Sequence, residues 1–214
     1  MNRPYGRRGA LQKAALSFSL LPAIARAQQP IRLLALGDSL TAGFGLPTGQ
    51  GFVPQLQAAL AARGRAVRVL DGGVSGDTIA GGLARLDWAL ADNPQAAIVA
   101  LGGNDGLRGL PIPASRAALN RILDRLEAAR LPTMLSGMIS PPNLGAAYGR
   151  EFTAMFADAA AARPAVIYQP FFLEGVAGLR ELNQADGIHP NQAGVRVMIQ
   201  GILPYVERLL ERVR

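Results

Sequence analysis

The sequence predicts an α/β protein built on one parallel sheet, and three observations carry that expectation. Short aliphatic runs alternate with helical periodicities after residue 30. The runs are short and mostly aliphatic, as strands covered on both faces are. The length of 214 residues suits a single α/β domain that buries about 70% of its unfolded surface. The expected strands are Ile31–Leu36, Val67–Leu70, Ala97–Leu101, Met134–Ile139 and Val166–Tyr168. Between them, Ile79, Leu83, Leu86 and Leu90 form one helical stripe, and Leu119, Ile122, Leu123 and Leu126 form a second. A third stripe, Ile199, Ile202, Val206, Leu209 and Val213, closes the chain, with a kink expected at Pro204. Strand alternating with helix implies an α/β sandwich with right-handed crossovers. No repeat, low-complexity tract or linker interrupts residues 30–214, so one domain over residues 28–214 is expected.

Residues 1–27 read instead as a cleavable export signal. Arg3, Arg7, Arg8 and Lys13 precede an apolar run from Ala14 to Ala25, and Ala25-Arg26-Ala27 sets small residues at a cleavage site. The basic start loosely resembles a twin-arginine signal, although Ala10 stands where that motif prefers Phe, so the Sec and twin-arginine routes both stay open. The alternative is an amphipathic helix retained in the mature chain. The apolar run is shorter than the roughly 18–20 residues that span a bilayer, so no stable membrane span is expected after cleavage. Loss of the leader removes five of the 22 basic residues and none of the 15 acidic ones, turning a formal +7 into +2. Export, with a periplasmic destination, is therefore expected, and the charge gives no argument for a nucleic-acid partner. The absence of cysteine suits passage through an oxidising compartment and excludes a thiol nucleophile.

In a doubly wound sheet, ligands bind beyond the carboxyl ends of the strands, where strand order reverses. The segments at those ends are Gly37-Asp38-Ser39-Leu40, Ser75-Gly76-Asp77, Gly102-Gly103-Asn104-Asp105-Gly106 and Asp186-Gly187-Ile188-His189-Pro190. A serine becomes a nucleophile when an imidazole takes its proton and a carboxylate holds the imidazole. With one histidine in the chain, His189 is the only candidate base, and Asp186 lies three residues before it. Ser39 directly follows a strand and is the candidate nucleophile. The N–H groups of Ser39 and Gly76 and the side-chain amide of Asn104 could stabilise an oxyanion. Each segment also has a plain reading as a turn or helix cap; their shared placement on one sheet edge favours chemistry.

Together these four segments resemble the sequence blocks of the GDSL/SGNH hydrolases. The stretches Ser75–Leu86 and Leu101–Gly109 are similar to the periplasmic thioesterase I/arylesterase branch, also called lysophospholipase-like. The resemblance runs from about Ile31 to the C-terminus. It implies a flavodoxin-like three-layer α/β/α sandwich with a five-stranded parallel sheet, and hydrolysis of esters or thioesters without metal or organic cofactor. Carried over, it makes Ser39 the nucleophile, His189 the base and acid, Asp186 its orienting residue, and Ser39, Gly76 and Asn104 the oxyanion hole. Asp38 is given a structural role. Ile139–Tyr148 resembles the family's acyl-binding wall, and Gly45–Phe52 matches the family poorly.

The expected partner is a small acyl ester or thioester, a lysophospholipid among the candidates, with oligomeric state left open. A carbohydrate O-acetylesterase on the same fold is the alternative reading. A flavodoxin-like nucleotide binder fits the fold but not the loops, which lack a Walker A or dinucleotide fingerprint. Residue 41 is Thr where an ordinary α/β-hydrolase elbow, G-x-S-x-G, has Gly.

Overall fold

The structure is a computed structural model that describes Met1 and residues 29–213. The expected leader, apart from Met1, lies outside the described residues.

Five strands form the sheet: β1 (Ile31–Gly37), β2 (Val67–Gly73), β3 (Ala96–Ala100), β4 (Thr133–Ser136) and β5 (Ile167–Gln169). All pair in parallel, in the order β2-β1-β3-β4-β5. The expected runs and the observed strands coincide to within a residue or two at most ends. The exceptions are β2, which extends three residues further, and β4, which leaves the sheet at Gly137 rather than Ile139. There the Gly137 N–H bonds to the Gln169 carbonyl and its own carbonyl accepts from Phe172, turning Met138 and Ile139 out of the sheet. β3 is buried at every position, the signature of a central parallel strand.

The helices are α1 (Ser39–Ala42), α2 (Phe52–Ala62), α3 (Ile79–Ala84), α4 (Leu86–Leu90), α5 (Gly103–Leu107), α6 (Ile112–Ala128), α7 (Ala146–Ala161) and α8 (Gln192–Leu210). α2 and α8 pack together on one face of the sheet, while α3, α6 and α7 cover the other. The connections after β1 and after β2 therefore lie on opposite faces, and strand order reverses between β1 and β3. The three-layer α/β/α expectation is met.

The first predicted stripe is two short helices rather than one. Arg85, at φ −105° and ψ 9°, breaks it between α3 and α4. Gly81-Gly82 gives α3 little intrinsic helix propensity, and Leu101 Cδ1 lies only 2.3 Å from where a Cβ on Gly82 would stand. The second stripe is the buried face of α6. The third is the buried face of α8, which continues through Pro204; the proline is exposed, so the carbonyl it leaves unbonded faces water. Val213 lies beyond the end of α8, half-buried against the core. The helices α2 and α7 carry no clear apolar stripe in the sequence. Their buried faces (Phe52, Leu56 and Leu60; Phe152, Met155 and Phe156) are diluted by alanine, which weakens the apolar contrast.

The β1 register aligns Gly37 with both Gly73 and Ala100, so three strands end level and their loops emerge side by side. Gly37 sits in the tightest part of this end. A Cβ there would lie 2.0 Å from Thr41 Oγ1 and 3.0 Å from the Ala100 carbonyl. Gly37→Ala is expected to destabilise by about 1–3 kcal/mol through overpacking. By contrast, Gly201 in α8 has nothing within 4 Å of a built Cβ, and Gly201→Ala should stabilise by roughly 0.5–1 kcal/mol. Urea unfolding of both variants checks the pair; equal effects would contradict the packing at Gly37.

Candidate active site

β1 delivers the chain to Asp38, whose Oδ1 accepts the Leu40 N–H at 3.0 Å and caps α1. Ser39 is the first residue of that short helix, so its N–H has no intrahelical acceptor. α1 ends after one turn at Gly43, where φ is +74°. The hydroxyl of Ser39 is thereby held at the strand end, buried except for a small opening.

After β2, the Asp77 N–H bonds to the Val74 carbonyl in a turn that holds Gly76 at φ +86°. Two guanidinium groups hold this turn. Arg85 Nε donates to Asp77 Oδ2 at 2.6 Å and Arg85 Nη2 to the Gly37 carbonyl at 2.8 Å, tying the turn to the end of β1. Arg108 Nη2 donates to the Gly76 carbonyl at 3.0 Å.

After β3, Gly102 takes φ +113° to open α5, and a side chain there would meet the Phe156 ring at 2.8 Å. Asn104 follows in the first turn. The neighbouring Asp105 is buried and faces away from Ser39. It accepts the Ile79 N–H at 2.9 Å and the Ser115 hydroxyl at 2.6 Å, joining α5 to α3 and α6.

The fourth segment is a loop clamped at its base. Asn183 and Pro190 form an antiparallel bridge, and the Gln184 N–H bonds to the His189 carbonyl at 2.7 Å. Gln184 Nε2 also reaches the Phe44 carbonyl at 2.8 Å, docking the loop against the segment after α1. Inside it, Asp186 Oδ1 accepts the N–H groups of Ile188 and His189 at 2.9 and 3.0 Å. Asp186 Oδ2 lies 2.7 Å from His189 Nδ1, and His189 Nε2 lies 2.9 Å from Ser39 Oγ. The backbone N–H bonds from His189 and Ile188, and then the imidazole, hold the Asp186 carboxyl down at about 2. An ionised Asp186 accepts only, so Nδ1 carries the proton and Nε2 is left to accept from Ser39. The Phe44 ring stands 4.7 Å from the imidazole centroid at a tilt of 41° and limits its rotation.

Asp38 is a different kind of carboxyl. Burial pushes it up to about 6, against the lowering effects of the Leu40 N–H, the His189 charge and the Asn104 amide. Its Oδ2 lies 3.5 Å from Asn104 Nδ2.

Ser39, Asn104 and His189 line one cleft of about 90 Å³, walled by Leu107, Met138, Ile139, Pro141, Phe171, Leu173 and Ile188. The structure thus brings four of the five expected residues together: Ser39, His189 and Asp186 in a hydrogen-bonded chain, and Asn104 beside them. Gly76 does not line the cleft; it stands on the adjoining turn, joined to Asn104 through Arg108. Met138, Ile139 and Pro141 belong to or adjoin the stretch expected to form an acyl wall. Arg85, Arg108 and Phe44 went unnoticed in the sequence. Isolated arginines and one phenylalanine carry no spacing signal, and only the folded contacts reveal them. A wider hollow, about 980 Å³, lies at the other ends of the strands around Pro94, Pro132 and Val166, and none of the expected residues lines it. Among the described residues, no group of three or more acidic or histidine side chains converges to hold a metal ion.

The sequence profile of the GDSL-like lipase/acylhydrolase family matches residues 35–197. The Pseudomonas aeruginosa protein named Esterase TesA is 40% identical over 204 residues, covering 95% of this chain and all of that protein. The Escherichia coli protein named Thioesterase 1/protease 1/lysophospholipase L1 is 35% identical over 168 residues, covering 78% of this chain and 79% of that one. A crystal structure of TesA superimposes with a TM-score of 0.79 at 40% identity, covering 83% of this chain and 99% of that one. On fold, sequence and likeness together, the chain belongs to the GDSL-like lipase/acylhydrolase family and is a hydrolase of carboxylic esters.

Proposed function

We propose that residues 28–214 form a single esterase and thioesterase domain in which Ser39, His189 and Asp186 carry a two-step acyl transfer to water. The observation that supports this most is the unbroken chain from Asp186 Oδ2 through His189 to Ser39 Oγ, at 2.7 and 2.9 Å. As Ser39 Oγ bonds to the carbonyl carbon, its proton passes to His189 Nε2. The electron pair of the carbonyl π bond moves onto oxygen, where the N–H groups of Ser39 and Gly76 and the Asn104 amide stabilise it. His189 then returns the proton to the departing alcohol or thiol as its bond to carbon breaks. Water, deprotonated by His189, releases the acid from the acyl-enzyme in the same manner.

The cleft walls are apolar, and Phe44, Leu107, Ile139 and Ile188 are exposed around its mouth. This supports single-chain amphiphiles, lysophospholipids included, over the acetylated carbohydrates of the alternative reading. Each acyl methylene buried contributes about 0.8 kcal/mol, or roughly fourfold in kcat/KM until the cleft is full. A p-nitrophenyl ester series should therefore rise from acetyl upward. An optimum at acetyl would turn the reading toward the O-acetylesterase. The same reading takes residues 1–27 as a leader that carries the domain out of the cytoplasm, and N-terminal sequencing of the mature protein should begin at Gln28.

Ser39→Ala and His189→Ala should each abolish nearly all turnover, whereas Asp186→Asn should leave a residue some orders of magnitude below wild type. Wild-type turnover in Ser39→Ala would overturn the assignment.

Activity should fall on the acid side, because a protonated imidazole cannot take the Ser39 proton. Asp186 stays ionised down to about pH 2 and contributes nothing to that limb. Asp38 titrates at about 6, so the limb should be followed in Asp38→Asn as well, where it should persist. Stability responds to Asp38 in the opposite sense from an ordinary ion-paired carboxylate. Between 3.8, the ordinary value for an aspartate, and about 6 the native state binds more protons than the unfolded chain. Stability therefore declines as pH rises through that window, by on the order of 3 kcal/mol. Thermal melts of wild type and Asp38→Asn should diverge across it; parallel melts would show that Asp38 is not buried as described.

A further inference from the structure

We infer that Arg108, an exposed residue at the end of α5, is a positioning residue that sets the oxyanion hole. The inference rests on the proposed roles of Asn104 and Gly76 as oxyanion donors. One guanidinium nitrogen, Nη2, donates both to the Gly76 carbonyl at 3.0 Å and to Asn104 Oδ1 at 3.3 Å. The two loops follow different strands, β2 and β3, and share no backbone hydrogen bond between Gly76 and Asn104.

The chemistry of the guanidinium decides what this contact does. Arginine has donors and no acceptor, so the Asn104 atom facing it must be the carbonyl oxygen. That turns the Asn104 NH₂ inward, toward Asp38 Oδ2 at 3.5 Å and the cleft beside Ser39. The flipped amide would set NH₂ against a cation and present its carbonyl oxygen to Asp38 and to the developing oxyanion. Both contacts repel. On the other side, Arg108 engages the outward carbonyl of Gly76, at a glycine already at φ +86°. Among the described residues the Gly76 N–H has no hydrogen-bond partner and is free for an oxyanion. One cation therefore fixes the orientation of one donor and the loop position of another without touching the reacting atoms. Being solvent-exposed, it adds little to global stability, as surface contacts of this kind do.

The test is a double-mutant cycle between Arg108→Ala and Asn104→Ala, read with a neutral p-nitrophenyl ester. Arg108→Ala should lower kcat about tenfold to a hundredfold, a large part of what losing an oxyanion donor costs, with KM and melting temperature unchanged. In the Asn104→Ala background the same substitution should cost clearly less, since one of the two donors it positions is gone and only its hold on Gly76 remains. Arg108→Lys should not restore kcat, because the shorter lysine side chain places its nitrogen short of the point from which Nη2 reaches both carbonyls. An unchanged kcat in Arg108→Ala, an equal loss in both backgrounds, or full rescue by Lys would each overturn the inference. So would an effect confined to KM with anionic substrates, which would make Arg108 a substrate contact. Wild-type activity in Asn104→Ala would overturn the oxyanion reading itself, and is distinct from an impaired Asn104→Ala beside an unimpaired Arg108→Ala.

Discussion

The site depends on one contact: His189 Nε2 meeting Ser39 Oγ across 150 residues of chain. A hydrogen bond of this kind is worth only about 1 kcal/mol net, far too little to gather its own partners. The fold must bring them together by other means. Ser39 is fixed by the end of a fully paired central strand and the single turn of α1. His189 is fixed by a loop that is almost self-contained, with a β-bridge at its neck and Asp186 binding two of its backbone N–H groups. The two halves then need only one docking point, and Gln184 Nε2 on the Phe44 carbonyl supplies it. Phe44 also packs on the imidazole, so the same residue that receives the loop limits the motion of the ring.

The two carboxyls near the site show how burial divides labour. Asp186 is partly open and saturated with N–H donors, which keeps it ionised and accepting over the working pH range. Asp38 is shut away from water with fewer donors and is held near 6. An ionised Asp38 is a cost to stability that the protein bears for geometry: it caps the helix that presents Ser39 and faces the Asn104 amide. An asparagine could keep the cap through its carbonyl but would oppose NH₂ to NH₂ at Asn104, so the carboxylate is the side chain that satisfies both neighbours.

Much of this is legible in the amino-acid sequence alone. Strands of a parallel sheet write themselves as short, mostly aliphatic runs, and all five are legible even though Arg32 and Arg68 interrupt the first two. The single histidine left one possible base, and Ser39, Asn104, Asp186 and His189 all follow strands or lie in Gly-containing loops. What was not legible depends on side chains meeting at a distance. The split between α3 and α4 follows from Arg85 closing one helix before the next begins, beside a Gly82 pressed by Leu101; the apolar stripe itself runs through the break. The helices α2 and α7 are hidden by alanine, whose small apolar side chain marks neither face. Arg108 looks like any surface arginine until Gly76 and Asn104 are seen on either side of it.

The division between imidazole and guanidinium has a functional consequence. The group that moves protons is a histidine, which must change charge in each cycle. The groups that hold the Gly76 turn are arginines, which stay charged at any pH the protein meets. Arg85 ties the turn to Gly37, and Arg108 ties it to Asn104. Had lysine or histidine filled these places, desolvation or a neighbouring charge could shift their titration toward neutrality and let the oxyanion loop loosen as the base switched. With arginine, the geometry around the nascent oxyanion stays constant while the proton on His189 comes and goes. The pH dependence of the chemistry is thereby separated from that of the loop that holds Gly76, while the buried Asp38 beside Ser39 couples acid to stability.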